Sequence, residues 1–306
     1  MTVGIVFDTG GLGDKSFNDS AWRGIERAVG ELAIRDMRIE SGSESEYEDN
    51  LILMAEEGID LVIAVGINMQ TALKTVAPQY PNVSFAIIDG SILDLPNVRS
   101  LKFKEEEGSY LVGFLAGLMT ESGKIGFVGG QALALIRKFE YGYRAGAERA
   151  RPDVEFLPAK YIGSWDDVDQ AKVAANVLYA SGADVVYHAA GRAGLGVIRS
   201  AAENEKWAIG VDSDQDGVEE GYVLTSMVKG VDKAVFQTIQ DFLNGEFTSG
   251  EKVYDLASGG VGVSEFRFTR GDIGEDNIKL LEDIKRMIIS GEIVVPSTEA
   301  EYLAQR

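Results

Sequence analysis

Three aspartates, Asp8, Asp89 and Asp212, close the apolar runs VGIVFD, VSFAIID and WAIGVD. A carboxylate in such a place accepts hydrogen bonds from hydroxyl and N–H groups. It therefore suits a polar, uncharged or cationic molecule, whereas a phosphate would meet three like charges. The first aspartate leads into the turn TGGLGDKSFN, which carries Phe17 and Asn18. These two are read as ligand contacts, because binding residues concentrate on loops at sheet ends. Phe139, in RKFEYGY, holds the counterpart position in the second half of the chain. Two phenylalanines from opposite halves would sandwich a flat ring, and stacking of a base on an aromatic contributes about 1–3 kcal/mol.

Other chemistries are thin. There is no cysteine and one histidine, so thiol nucleophiles, Cys-ligated metals and paired-imidazole zinc sites are excluded. GGLGDKSFND is neither a dinucleotide fingerprint, since Ser16 stands where the third glycine belongs, nor a P-loop, since Asp14 precedes Lys-Ser. Part of it reads as an N-cap, with Asp14 or Ser16 accepting orphan helix N–H groups. GRAGLG at 191–196 reads as a tight strand-to-helix turn whose Gly191 lets backbone approach a ligand. DSDQDG at 212–217 resembles half a calcium loop, but Val223 occupies the place of the bidentate glutamate. His188, on an apolar strand end, reads as a core histidine, and no G-x-S-x-G elbow makes it a hydrolase base.

The elements positioning these residues alternate between apolar strands and amphipathic helices, a pattern of parallel sheet covered on both faces. Strand starts fall at 3, 60 and 83, then again at 124, 184 and 207, so the second interval repeats and the first differs by three residues. GIDLVIAVG and GADVVYHAAG match in register. A repeat of this length predicts two similar α/β lobes. Chain crossings are expected near 103–106, 229–232 and 250–254. They give lobes of 1–104 with 231–252 and of 105–230 with 253–306, a multi-strand hinge, and a ligand cleft between the lobes. Helical spacing of Trp22, Ile25, Val29 and Leu32 marks the first helix, KVYDLASGGVGV reads as one extended stretch, and DNIKLLEDIKRMIIS reads as the last helix.

The 306 residues carry 29 Lys and Arg against 49 Asp and Glu, a net charge of −20, which disfavours nucleic acid and anionic membranes as partners. The chain opens on a strand without a basic n-region or apolar h-region. The apolar stretch 110–119 is too short to span a bilayer.

VGIVFDTGGLGDKSFNDSAWRG, FAIIDG, FKEEEGSYLVGFLAG, KIGFVGG, RKFEYGYRAG, AAGRAGLGV, GVDSDQ and LTSMVKGVD run in that order through the chain. Together they resemble the basic membrane protein family, the PnrA-like purine nucleoside-binding lipoproteins of ABC transporters. The resemblance implies a type I periplasmic binding protein fold, with two doubly wound parallel-sheet lobes, and a solute-binding protein without catalysis or cofactor. It implies a purine between Phe17 and Phe139, Asp89 on the base edge and Asn18 assisting. Asp8, Asp212 and Lys229 would hold the ribose, with Gly191 in close approach and Ser16 as a further contact. Its expected partners are a purine nucleoside and the permease subunits of an ABC transporter. Its expected place is outside the cytoplasm, lipid-anchored or periplasmic. The chain departs from the family at Arg192, where a small residue is usual, in the apolar ALALIRKFE, and in lacking a lipobox cysteine. Readings kept alongside are a ribose or other sugar binder on the same fold and a cytoplasmic nucleoside sensor. A nucleoside-cleaving enzyme using the three carboxylates is also kept, although no dense DxDxxxDD run is present.

Overall fold

A computed structural model describes residues 1–306, and the chain divides into two compact units. Lobe one opens with β1 (Thr2–Phe7), α1 (Phe17–Leu32), β2 (Arg35–Glu40), α2 (Tyr47–Glu56), β3 (Leu61–Val65), α3 (Gln70–Val76), β4 (Ser84–Ile88) and β5 (Val98–Phe103). After Phe103 the chain enters lobe two. There it forms α4 (Glu105–Met119), β6 (Lys124–Gly129), α5 (Ala134–Ala150), β7 (Glu155–Phe156), β8 (Lys160–Tyr161) and α6 (Val168–Ala180). β9 (Val185–Ala189), α7 (Gly194–Glu203), β10 (Trp207–Asp212) and β11 (Val223–Lys229) follow. It returns to lobe one from Gly230 to Tyr254 for α8 (Val231–Leu243) and β12 (Gly250–Tyr254). Lobe two is completed by β13 (Val261–Val263), α9 (Arg270–Ile273), α10 (Glu275–Ile289) and α11 (Glu299–Ala304).

The repeat read from the strand spacing is the repeat of the sheets. Lobe one orders its strands β12-β5-β4-β3-β1-β2, all parallel. Lobe two orders them β13-β11-β10-β9-β6-β7, with β8 also beside β6. The shared order, second-first-third-fourth-fifth, is that of a doubly wound sheet. Only β13 runs antiparallel, pairing Met227 with Val263.

Central strands are apolar on both faces because helices cover both. Val3, Ile5, Val6 and Phe7 of β1 and all of β3 are fully buried. α1 buries Ala21, Gly24, Ile25 and Ala28, whereas Val29 is 37% exposed. The expected stripe is therefore rotated, and the cause is Gly24. A Cβ there would lie 2.6 Å from the Asp232 carbonyl, so α1 meets α8 through its small residues.

The same physics hides α4 from periodicity. Its apolar run is buried nearly all round, and its glycines are helix–helix contacts, not breakers. A Cβ at Gly113 would stand 2.0 Å from the Tyr143 carbonyl, and one at Gly146 2.0 Å from that of Tyr110, so α4 and α5 touch backbone to backbone. KVYDLASGGVGV is two strands, β12 and β13, one in each lobe. Arg99 and Asp241 hold the returning segment in lobe one, 2.6 Å apart and buried, with Lys252 3.0 Å from the same carboxylate. α10 is not the last helix. Thr298 caps α11, whose buried Tyr302 donates to Glu148 at 2.7 Å. No helix is long and apolar enough to cross a membrane.

Candidate functional site

In lobe one the site candidates are Asp8, Ser16, Phe17, Asn18 and Asp89. Asp8 follows β1 and is buried, its Oδ1 accepting from the Gly10 amide and from Asn18 Nδ2, both at 2.9 Å. Gly66, at the end of β3, makes room for it, since a Cβ there would fall 2.9 Å from Asp8 Oδ2. Asn18 Nδ2 also lies 3.3 Å from Asp14 Oδ2. Two carboxylates around one atom identify it as the amide nitrogen, so the Asn18 oxygen is turned the other way, buried and without a hydrogen-bond partner. Burial pushes the Asp8 carboxyl up to about 6. The bonds from Asn18 and Gly10 oppose that shift, and the nearby charges of Asp14 and Asp89 add to it.

Asp14 starts α1. Its carboxylate accepts from the backbone amides of Ser16 and Asn18 at 2.8 Å and of Asp19 at 3.1 Å. Ser16 sits at the N-cap position, fully buried, but its side chain makes no cap bond. Of the two expected capping residues, Asp14 does the work, because its longer side chain spans three amides from outside the helix. Phe17, the first helical residue, is half-buried.

Asp89 follows β4, buried, with a backbone φ of +68°. Its counterpart Asp212 ends β10 in lobe two with φ +63° and is also buried. The left-handed region is uncommon for residues other than glycine and is visited by aspartate more than by most, and such strain gathers at functional sites. Its recurrence at matching strand ends of the two lobes is a second repeat, one of backbone strain.

Lobe two holds Phe139, Gly191, Asp212 and Lys229. Phe139, on α5, is 3% exposed, and the Lys229 ammonium lies 5.7 Å from its ring centroid. Lys229, at the end of β11, is itself 1% exposed and stands 3.1 Å from Glu105 Oε1. Lys138 approaches the same carboxylate from the other side, 3.3 Å from Oε2, and lies 3.6 Å from Glu106. Burial opposes ionisation of Glu105, yet the two ammonium groups outweigh it and hold the carboxyl below its ordinary value. Gly191 has φ +55° on a single turn of tight helix, and Arg192 beside it is exposed.

The remaining motifs resolve into structure. The Gln215 side-chain oxygen accepts from the Val211 amide at 2.9 Å, so His188 Nε2, 3.0 Å from that oxygen, carries the proton. Burial drives the His188 imidazole down to about 4, and the ring is neutral. A Cβ at Gly194 would stand 2.0 Å from that ring, which explains a glycine of GRAGLG. The carboxylates of DSDQDG point to different partners. Asp214 pairs with Arg267 at 3.1 Å, while Asp216 accepts from Ser226 at 3.0 Å and Ser264 at 2.8 Å. No group of three or more His, Asp or Glu side chains is arranged to hold a metal ion.

Sequence reasoning missed Glu105 and Lys138. The one signal available was that Lys138 directly precedes Phe139.

Residues 1–299 match the family described as ABC transporter substrate-binding protein PnrA-like. The chain is 37% identical to the CD4+ T-cell-stimulating antigen of Listeria innocua over 97% of its own length and 88% of that protein's. It is 35% identical to the ABC transporter nucleoside-binding protein BmpA of Lactococcus lactis, over 97% of this chain and 89% of the relative. A crystal structure of an ABC transporter solute-binding protein from Aeropyrum pernix K1 superposes with a TM-score of 0.89 at 30% identity, covering 99% of this chain and 96% of that one. The lobes are accordingly those of the periplasmic binding fold. Members of the family are substrate-binding proteins that work outside the cytoplasm, not enzymes. The chain belongs to the Bmp family, the PnrA-like substrate-binding proteins of ABC transporters.

Proposed function

We propose that this chain captures a purine nucleoside and presents it to the permease subunits of an ABC transporter. The base would stack on Phe17 and Phe139, and its N–H groups would meet Asp89 and the Asn18 oxygen. The ribose hydroxyls would donate to Asp8 and Asp212, with Lys229 beside them, Gly191 in close backbone approach and Ser16 lining the turn.

The observation that carries this reading is the acceptor character of lobe one's site. Asp8, Asp89 and the Asn18 oxygen are all acceptors, and ionised Asp8 costs free energy until a donor reaches it. Vicinal hydroxyls and a donor-bearing purine edge, such as guanine N1–H or adenine N6–H₂, supply such donors without adding negative charge. A relative named as nucleoside-binding supports the same class of ligand. Attachment to the membrane through a lipid on a preceding segment is part of the proposal.

The test is mass spectrometry of whatever small molecule leaves the purified protein on denaturation, followed by rebinding. A purine nucleoside that rebinds one to one supports the reading. A sugar that rebinds, with guanosine, adenosine and inosine all inert, removes it.

A further inference from the structure

We propose that Glu105 is a positioning residue for the ligand site of lobe two, fixing the direction and charge of Lys229. This rests on the nucleoside reading for its ligand and on lobe two alone for its geometry.

Three elements meet at one carboxylate. Glu105 opens α4 and is fully buried. Oε1 faces Lys229 from the end of β11, and Oε2 faces Lys138 from the first turns of α5. Lysine has a flexible stem and a compact charge, so a buried ammonium has no preferred direction unless an anion supplies one. With Glu105 Oε1 3.1 Å from its ammonium and the Phe139 ring centroid 5.7 Å away, Lys229 is held beside that ring. Glu106 differs: it lies 3.6 Å from Lys138 and makes no ion pair with Lys229.

The charge count makes the arrangement consequential. Two ammonium groups share one fully buried carboxylate, and Lys138 alone also reaches the more peripheral Glu106. Without Glu105, Lys229 would lose the fully buried carboxylate 3.1 Å from its ammonium, and burial favours the neutral amine. A neutral Lys229 turns a lone pair toward the ribose site and no longer offsets the carboxylates there.

The experiment compares wild type, Glu105→Gln and the control Glu106→Gln in three readouts. Titration calorimetry with inosine and with hypoxanthine separates ribose-side from base-side contacts. NMR of the lysine Nζ resonances, with Lys229 assigned through Lys229→Arg, follows the amine directly, and melting curves report folding. For Glu105→Gln the expected result is a loss of about tenfold or more in inosine affinity, steeper as pH rises from 7 to 9. Hypoxanthine affinity should change by less than about threefold, and the Lys229 titration should move down by about one unit or more. Glu106→Gln should match wild type in both affinities.

Equal losses for inosine and hypoxanthine, or an unmoved Lys229 titration in a folded Glu105→Gln variant, would overturn the positioning role. If wild type binds neither compound, the nucleoside reading fails by itself, and the Lys229 titration still decides whether Glu105 holds the amine. If Glu105→Gln does not fold, Glu105→Asp takes its place, with the same split between inosine and hypoxanthine expected at smaller amplitude.

Discussion

The two lobes share a strand order and a pair of strained aspartates, yet they treat charge at their site residues in opposite ways. Lobe one gathers Asp8, Asp14 and Asp89 with no cation bonded to Asp8, whose carboxyl is pushed up to about 6. Lobe two instead sets Glu105 between Lys229 and Lys138, which hold its carboxyl below its ordinary value. Duplication thus preserved the backbone frame while the side chains diverged. On the proposed reading, lobe one accepts donors from the ligand, and lobe two offers a cation directed by Glu105. A neutral ligand rich in hydroxyl and N–H groups suits the first, and a flat ring beside Phe139 suits the second.

The largest expected effect comes from breaking lobe two's balance. Lys229→Met leaves the fully buried Glu105 with Lys138 alone, and stability should fall by about 3 kcal/mol, read from the denaturant midpoint. A variant as stable as wild type would mean that Lys138 neutralises Glu105 by itself.

Lobe one should answer with the opposite sign. Asp8 has a folded-state value above its unfolded one, so its ionisation costs stability as pH rises from about 4 to about 6, and the cost is fully present at pH 7. Two units at 1.36 kcal/mol each make that cost about 3 kcal/mol. Asp8→Asn keeps an oxygen for Gly10 and Asn18 and should stabilise the ligand-free protein at pH 7 by up to that amount. It should also weaken nucleoside binding by about tenfold or more. In wild type, affinity should fall as pH drops through about 6, approaching tenfold per unit, because bound hydroxyls need the carboxylate. A flat profile between pH 7 and 5 would remove Asp8 from the ribose contacts.

The aromatic side chains sharpen the comparison at intermediate size. Phe17→Ala or Phe139→Ala should each reduce affinity by about fivefold to a hundredfold, with melting shifted more by the buried Phe139 than by the half-buried Phe17. The smallest effect belongs to the helix start. Asp14→Ala should lower stability by about 1–2 kcal/mol, whereas Ser16→Ala, at an N-cap without a cap bond, should change helix stability by less.

What the sequence made legible follows from which signals are local. Strand ends announce themselves by an apolar run stopping at a carboxylate, so Asp8, Asp89 and Asp212 are legible in the sequence. Phe17 followed from its loop after the first strand, and Phe139 from the repeat. Lys229 entered only through family resemblance, because a lysine after an apolar strand has no local mark. α4 carries its acidic residues first and its glycines throughout, so neither a helical stripe nor a cap revealed it. Glu105 was invisible for a related reason. Its partners lie 33 and 124 residues away along the chain, and an EEE run reads as a solvated face. α11 hid in a polar tail whose Tyr302 anchor depends on Glu148 of a distant helix.

One molecule is expected to satisfy both chemistries, with a base stacked on phenylalanine and a ribose held by carboxylates. Calorimetric titration of the ligand-free protein with inosine, hypoxanthine and ribose, at one pH and salt, tests it most directly. Inosine is expected to bind one to one in the micromolar range or tighter, hypoxanthine weaker by about tenfold or more, and ribose weaker still. Saturation by ribose with no heat from inosine would contradict it.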